Sequence, residues 1–232
     1  MATMTEAKPL IGGLSLVETQ GAPFRVFRDS RVVLTITGIG KVNAAMACAS
    51  LIQGFHPGLL CNIGAAGALD DARPLGSLYH INRIIEPDRP DLETGVFVEH
   101  VPDVLAGFPM ASLATQDRPL RRPEERAGVV GFADLIDMEG AAIVQAARNF
   151  GVRCFVFKFV SDTPDHAVRS AIIENIRKHR DGQLLFFREM ALPALLAAGR
   201  QRSDEGLSDQ KKLLMPSEGV ALRTFRSGDS RG

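Results

Sequence analysis

The 232 residues, 45% hydrophobic and 23% charged, suffice to bury one sizeable core and predict one globular domain. The 27 basic and 27 acidic side chains cancel, so no overall charge marks the chain for nucleic acid or for an anionic membrane surface. Cys48, Cys61 and Cys154 are odd in number and lack metal-ligand spacing, no charged-then-apolar leader opens the chain, and no apolar run reaches the ~18 residues of a membrane span; these features predict reduced thiols, no metal and a cytoplasmic protein.

In chain order, Met1 to Glu6 are polar and small, and Ala7 to Leu10 predict the first turn of a helix with Pro9 near its start. Glu6, taken alone, reads as a solvated first-turn carboxylate, because acids favour helix N-termini. Phe24-Arg25-Val26-Phe27-Arg28 alternates as a half-buried strand should, and Arg31 to Thr37 is a β-branched run ending at Gly38-Ile39-Gly40-Lys41. Val42 to Ile52 is small and apolar enough for a helix packed on a sheet, so strand, glycine turn and helix read as half of a βαβ unit. The Gly-x-Gly lacks the third glycine and the acid about twenty residues on that a dinucleotide site needs, and predicts a close-approach turn instead.

Gly58 to Gly64 is the next strand, entering a loop over Gly64-Ala65-Ala66-Gly67-Ala68-Leu69. Residues without bulk let backbone N–H groups approach a ligand, and they equally suit a tight turn under a helix. Leu78 to Ile85 predicts a strand, Glu86 to Gly95 a surface loop, Ser112 to Thr115 a short strand, and Pro123 to Arg126 a helix-like turn. From Asp137 to His166 the pattern is most informative: Glu139 opens a helical run to Phe150, Val152 to Val160 is a mostly apolar strand, and Asp162 lies just past it. Loops past the carboxyl ends of strands in an α/β sheet face the ligand crevice, which places Asp162 for chemistry. Ser170 to Ala198 has helical spacing with Ile172, Ile176, Leu184, Phe187, Met190, Leu192 and Leu195 as the core face. The composition then turns polar, predicting a domain over 1–199 and a disordered tail over 200–232. Strands alternating with helices argue an α/β fold with a mixed, mainly parallel sheet.

Gly38-Ile39-Gly40-Lys41-Val42-Asn43-Ala44-Ala45, Asn62-Ile63-Gly64-Ala65-Ala66-Gly67, Gly76-Ser77-Leu78, Asp137-Met138-Glu139 and Phe159-Val160-Ser161-Asp162 occur in an order and at spacings that resemble the nucleoside phosphorylase superfamily, and within it the 5'-methylthioadenosine/S-adenosylhomocysteine nucleosidases. The resemblance runs over roughly residues 2 to 195 and implies a three-layer α/β/α fold. It implies that Asp162, beside Ser161, is the general acid at purine N7, an acid whose pKa burial would have to raise. It implies that Glu139 accepts hydrogen bonds from the ribose hydroxyls, that Met138 packs on the sugar, and that Glu6 activates the attacking water. Gly64 and Ala65 would line the substrate; Arg118-Pro119 stands where the family has a base-stacking phenylalanine just after Asp117, while Leu120 would still offer its backbone to the purine.

Phosphorylases of this superfamily carry arginine at the equivalent of Asn62, a hydroxyl at the equivalent of Ala65 and a phosphate-binding loop near the N-terminus. Their absence here points to water as the nucleophile. The resemblance thus implies a purine nucleosidase acting on an adenosine-type nucleoside without cofactor, in a homodimer. The alternatives are a phosphorylase using Arg73 or Arg118 for phosphate, and a non-catalytic nucleoside-binding protein. The family's first strand normally precedes the segment holding Glu6, and the resemblance therefore implies a sheet lacking that strand.

Overall fold

The computed structural model describes residues 1–120, 122–164 and 169–200. The polar tail beyond 200, and Asp165 and His166 at the end of the acid-bearing stretch, lie outside the described residues. Residues Met1–Leu195 form one compact unit.

The first helix, α1 (Met4–Gly13), begins before the expected Ala7, so Pro9 falls inside it rather than at its start. Thr3 caps it. The Thr3 hydroxyl accepts from the Glu6 N–H, and Glu6 Oε2 accepts from the Thr3 N–H at 2.9 Å, the reciprocal box that satisfies two otherwise orphaned donors. Strands β1 (Val17–Gln20), β2 (Val26–Arg28) and β3 (Val33–Thr35) form their own antiparallel sheet in that order. This corrects the expected βαβ half-unit: β3 pairs with β2, and α2 (Lys41–Phe55) leads from this small sheet into the large one. Met1 and Ala2 lie beside β3, their carbonyls accepting from the Thr37 and Gly38 N–H groups at 2.9 and 3.1 Å.

The large sheet runs β6-β5-β7-β8-β4-β9, from β4 (Leu59–Ala68), β5 (Leu78–Pro90), β6 (Phe97–His100), β7 (Met110–Thr115), β8 (Leu135–Asp137) and β9 (Arg153–Asp162), and β5 also pairs with β9. Its two longest pairings are parallel, β4 with β9 from Leu59 opposite Arg153 to Gly67 opposite Asp162 and β5 with β7; the antiparallel pairings of β5 with β6 and β9 and of β4 with β8 are shorter than these. This is the mixed, mainly parallel α/β sheet expected. Two sequence boundaries move. The small-residue segment Gly64 to Ala68 is strand, not loop, and β5 continues to Pro90 through the start of the expected surface loop.

Helices α3 (Pro123–Ala127), α4 (Gly140–Asn149) and α5 (Arg169–Phe186) complete the unit. Alternation along β9 divides the core. Cys154, Val156 and Val160 face a cluster with Ala44, Cys48 and Ile52 of α2 and Ile143, Val144 and Ala147 of α4. Phe157 points the other way, edge-on to Phe186 of α5 with ring centroids 5.7 Å apart, and α5 also packs on α1. Within the expected last core face Phe187, Leu192 and Leu195 are buried, but Met190 is 49% exposed. A π-helical turn over Phe187–Ala191 breaks the 3.6-residue period there and rotates Met190 outward. All three cysteines are free thiols, and burial pushes Cys48 up to about 11 and Cys61 up to about 12. No helix among the described residues is long and apolar enough to cross a membrane.

Candidate active site

Glu6 is buried, contrary to the solvated carboxylate that its sequence neighbourhood suggests. Its Oε2 accepts from the Thr3 hydroxyl at 2.6 Å, and Oε1 accepts from the Ala65 N–H of β4 at 2.9 Å. The cap that starts α1 therefore also fixes this carboxylate against the sheet. Gly64 is part of the fit, since a Cβ there would stand 2.9 Å from Glu6 Oε1.

Glu139 is the N-cap residue of α4 and is also buried. Its Oε1 accepts from the Gly40 N–H at 2.8 Å, and Gly40 holds φ +98, a backbone region L side chains rarely adopt. The Gly38-Ile39-Gly40 turn is thus an arm that brings a backbone donor to a carboxylate 99 residues further along. Two residues before Glu139, Asp137 accepts from the Thr115 hydroxyl at 2.6 Å, from the Gly140 N–H at 2.8 Å and from Lys158 Nζ at 2.8 Å. Burial and the neighbouring Asp137 charge push Glu139 up to about 7, against the opposing pull of Lys158 and the Gly40 N–H. Met138, between the two acids, is half-buried.

Asp162 is the last residue of β9, so the strand carries it rather than ending before it. It is buried as expected, and both oxygens are engaged: Oδ1 accepts from the Ser161 hydroxyl at 2.7 Å, Oδ2 from Arg126 Nη2 at 2.5 Å. The Arg126 side chain is 2% exposed, and its other terminal nitrogen donates to the Ala68 carbonyl. Gly67 makes the room. A Cβ there would lie 2.6 Å from Asp162 Oδ2 and 3.3 Å from Arg126 Nη1. Gly67→Ala is therefore expected to lower stability by about 1–3 kcal/mol, the range for overpacking a filled interior. Gly12→Ala, with nothing within 4 Å, is the control that leaves the denaturant midpoint unchanged or slightly raised.

Glu6, Glu139, Asp137 and Lys158 act on one another electrostatically, and the register of β4 with β9 sets Gly64 opposite Lys158 and Gly67 opposite Asp162. Glu6 and Asp162 thus touch β4 three residues apart, ~10 Å along the strand. Leu120 packs in a separate small cluster with Leu69, Ile85, Ala114, Val129 and Ile136. Asn62 is buried on β4 with Oδ1 unpartnered. Arg73 is tied to Asp134 at 2.7 Å and stacked over Tyr79, while Arg118 is exposed. Among the described residues no group of three or more His, Cys, Asp or Glu side chains is arranged to hold a metal ion. Arg126 is the site residue that sequence reasoning missed.

The chain is similar in sequence to nucleosidases. The 5'-methylthioadenosine/S-adenosylhomocysteine nucleosidase of Staphylococcus saprophyticus is 28% identical over 161 residues, 59% of this chain and 71% of the relative. That of Staphylococcus aureus is 27% identical over the same shares. In structure, a Helicobacter pylori nucleosidase of this kind, a mutant crystallised with 5'-methylthioadenosine in its active site, superposes with a TM-score of 0.72 at 20% identity over 82% of this chain and 95% of that one. The futalosine hydrolase of the same organism does so with a TM-score of 0.69 at 20% identity, over 82% and 94%. These structures share the fold. The family model described as Phosphorylase superfamily matches residues 17–125 and 112–183, which hold Glu139, Asp162 and the strands beneath them, and the chain belongs to that superfamily.

Proposed function

We propose that this protein is a purine nucleosidase that hydrolyses the N-glycosidic bond of an adenosine-type nucleoside such as 5'-methylthioadenosine or S-adenosylhomocysteine. The observation that carries the reading is the set of three buried carboxylates: Glu6 bonded to the Ala65 N–H of β4, Glu139 acting electrostatically on Glu6, and Asp162 at the end of β9 beside Gly67 of β4. Buried carboxylates beside a bound sugar suit a reaction in which positive charge develops on that sugar. Glu6 takes a proton from water as the oxygen attacks C1'. The C1'–N9 bond breaks, its electron pair passes into the purine, and Asp162 gives a proton to N7. The products are the free base and the sugar with a hydroxyl at C1', so atoms and protons balance. Glu139 accepts from the ribose hydroxyls, with Met138 against the sugar. The ~10 Å between the Glu6 and Asp162 contacts on β4 suits a base and its sugar lying between them.

Water is favoured over phosphate because Lys158, Arg126 and Arg73 are each held by a carboxylate, and Arg118, the other candidate for phosphate, is exposed. Lys158 is bonded to Asp137, Arg126 to Asp162 and Arg73 to Asp134. The test is release of base from methylthioadenosine, S-adenosylhomocysteine, adenosine and inosine, with and without phosphate. Release independent of phosphate supports the nucleosidase; an absolute need for phosphate supports a phosphorylase; binding without turnover supports a nucleoside-binding protein. A homodimer is the expected assembly, and exposed Ile39, Val42 and Met46 on and beside α2 offer it an apolar surface.

Glu139 gives this reading a pH signature. Ionised, it accepts two hydroxyl hydrogen bonds; protonated, one oxygen becomes a donor. Because its pKa is about 7, nucleoside affinity is expected to be full at mildly alkaline pH and to fall roughly tenfold per unit below about 7. Calorimetric titration across this range checks it, and Glu139→Gln should bind weakly with no such slope. Stability moves oppositely: the raised pKa means the buried charge destabilises the fold above about 7, and that penalty is relieved as pH falls toward the ordinary 4.5.

A further inference from the structure

Arg126, a buried charge beside Asp162, takes no part in the chemical step above. We propose that Arg126 is the positioning residue of Asp162, anchoring its carboxylate on β4 and stabilising the charge that forms there as the purine takes the proton. The inference rests on the nucleosidase reading and deepens it.

The local construction supports this role. Arg126 Nη2 donates to Asp162 Oδ2 at 2.5 Å, its other terminal nitrogen donates to the Ala68 carbonyl, and the missing side chain of Gly67 leaves space for both groups. The single proton of the Ser161 hydroxyl goes to Oδ1 at 2.7 Å, the nearer of its two acceptors, with the Ala66 carbonyl at 3.3 Å, so each carboxylate oxygen has its own donor. The guanidinium does not grip Asp162 with both prongs. One terminal nitrogen meets the carboxylate and one the backbone, while the buried Nε has no partner among the described residues. A purely structural pair would be expected to use the two-pronged geometry, which is the stronger. The single bond to Oδ2 instead leaves a position on the carboxyl group free to carry the proton that passes to N7.

The chemistry follows from where charge appears. When Asp162 gives its proton to N7, a full negative charge forms on a carboxylate bonded to a fixed guanidinium. That interaction is stronger in the transition state than in the substrate complex, which is the condition for accelerating the step. Arg126 touches Asp162 rather than the reacting atoms and acts through it.

The test is a four-protein cycle of wild type, Arg126→Gln, Asp162→Asn and the double variant. Arg126→Gln is expected to lower kcat about 100-fold, in the range for losing one stabilising donor, with KM within about threefold. Combined with Asp162→Asn it should cost no more than Asp162→Asn alone, because there is no longer a charge to stabilise. Added guanidinium ion should restore part of the kcat of Arg126→Gln and none of that of the double variant. An unchanged kcat in Arg126→Gln, or losses that simply multiply in the double variant, would overturn the proposal. If Arg126→Gln does not fold, Arg126→Lys keeps the cation and replaces it in the cycle, with a smaller loss, about tenfold, that again vanishes beside Asp162→Asn. If wild type releases no base from any nucleoside tested, the nucleosidase reading fails, and the cycle is read from calorimetric binding of adenine. A loss of at least about tenfold from Arg126→Gln that disappears with Asp162→Asn sustains the role; equal affinities, multiplying losses or no adenine binding overturn it.

Discussion

Asp162→Asn is expected to lower base release by about 10²–10⁴-fold, the span general acid catalysis supplies, while leaving the circular dichroism spectrum of the folded chain in place. The amide keeps the size of the carboxyl group, and its oxygen still accepts from Ser161 or Arg126, which stand 2.7 and 2.5 Å from the native oxygens. What it cannot do is give a proton to N7. The cost to the fold is real, because Arg126 is left as a buried cation with a neutral partner. Removing one member of a buried pair costs about 3–5 kcal/mol, and the surviving hydrogen bond should hold the loss to the lower end. Activity is therefore compared below the variant's own unfolding transition. Near-normal turnover in a folded Asp162→Asn would remove Asp162 from the role of acid and with it the nucleosidase reading.

Much of this was legible in the residues, for identifiable reasons. Glu139 and Asp162 stand where a strand or helix end had to fall, beside the run Cys154 to Val160 that could only be a buried strand. The segment Gly64 to Ala68 was harder. Glycine and alanine are poor strand formers, and it is strand because β9 pairs with it on one side and β8 on the other. Strands as short as β1, β6 and β8 have little local signal and exist through their partners. Glu6 had a signal that was passed over: Thr3 and Glu6 stand at capping-box spacing, which fixes the helix start and withdraws the carboxylate from solvent. Arg126 had almost none. In Pro-Glu-Glu-Arg-Ala an arginine reads as a solvated helix residue, and only the bare backbone at Gly67, 59 residues earlier in sequence, makes its burial possible.

Lys158→Met is expected to lower stability by about 3–5 kcal/mol near neutral pH, the cost of stripping a buried ion pair of one partner. Lys158 and Asp137 have side chains only 2% and 1% exposed, with Nζ 2.8 Å from Oδ2. The methionine fills the space of the lysine stem, so the loss measures charge rather than volume. It propagates because Asp137 also accepts from the Gly140 N–H at the first turn of α4, the turn that presents Glu139. Adding Asp137→Asn should recover part of the loss, since the buried charge left behind is then gone, and the urea midpoints of the two variants make the comparison. The pH dependence carries a second check. Burial pulls the Lys158 pKa down, but the Asp137 and Glu139 charges more than offset this and hold it above the ordinary 10.5. Its stabilisation is thus complete below about 10.5 and lost as pH rises through the higher folded value, a limb that Lys158→Met should lack. The same substitution removes the cation that pulls Glu139 down, so the nucleoside-binding limb at about 7 should move to more alkaline pH. A variant that unfolds like wild type and keeps that limb in place would show that Lys158 does not hold the acids of this site together.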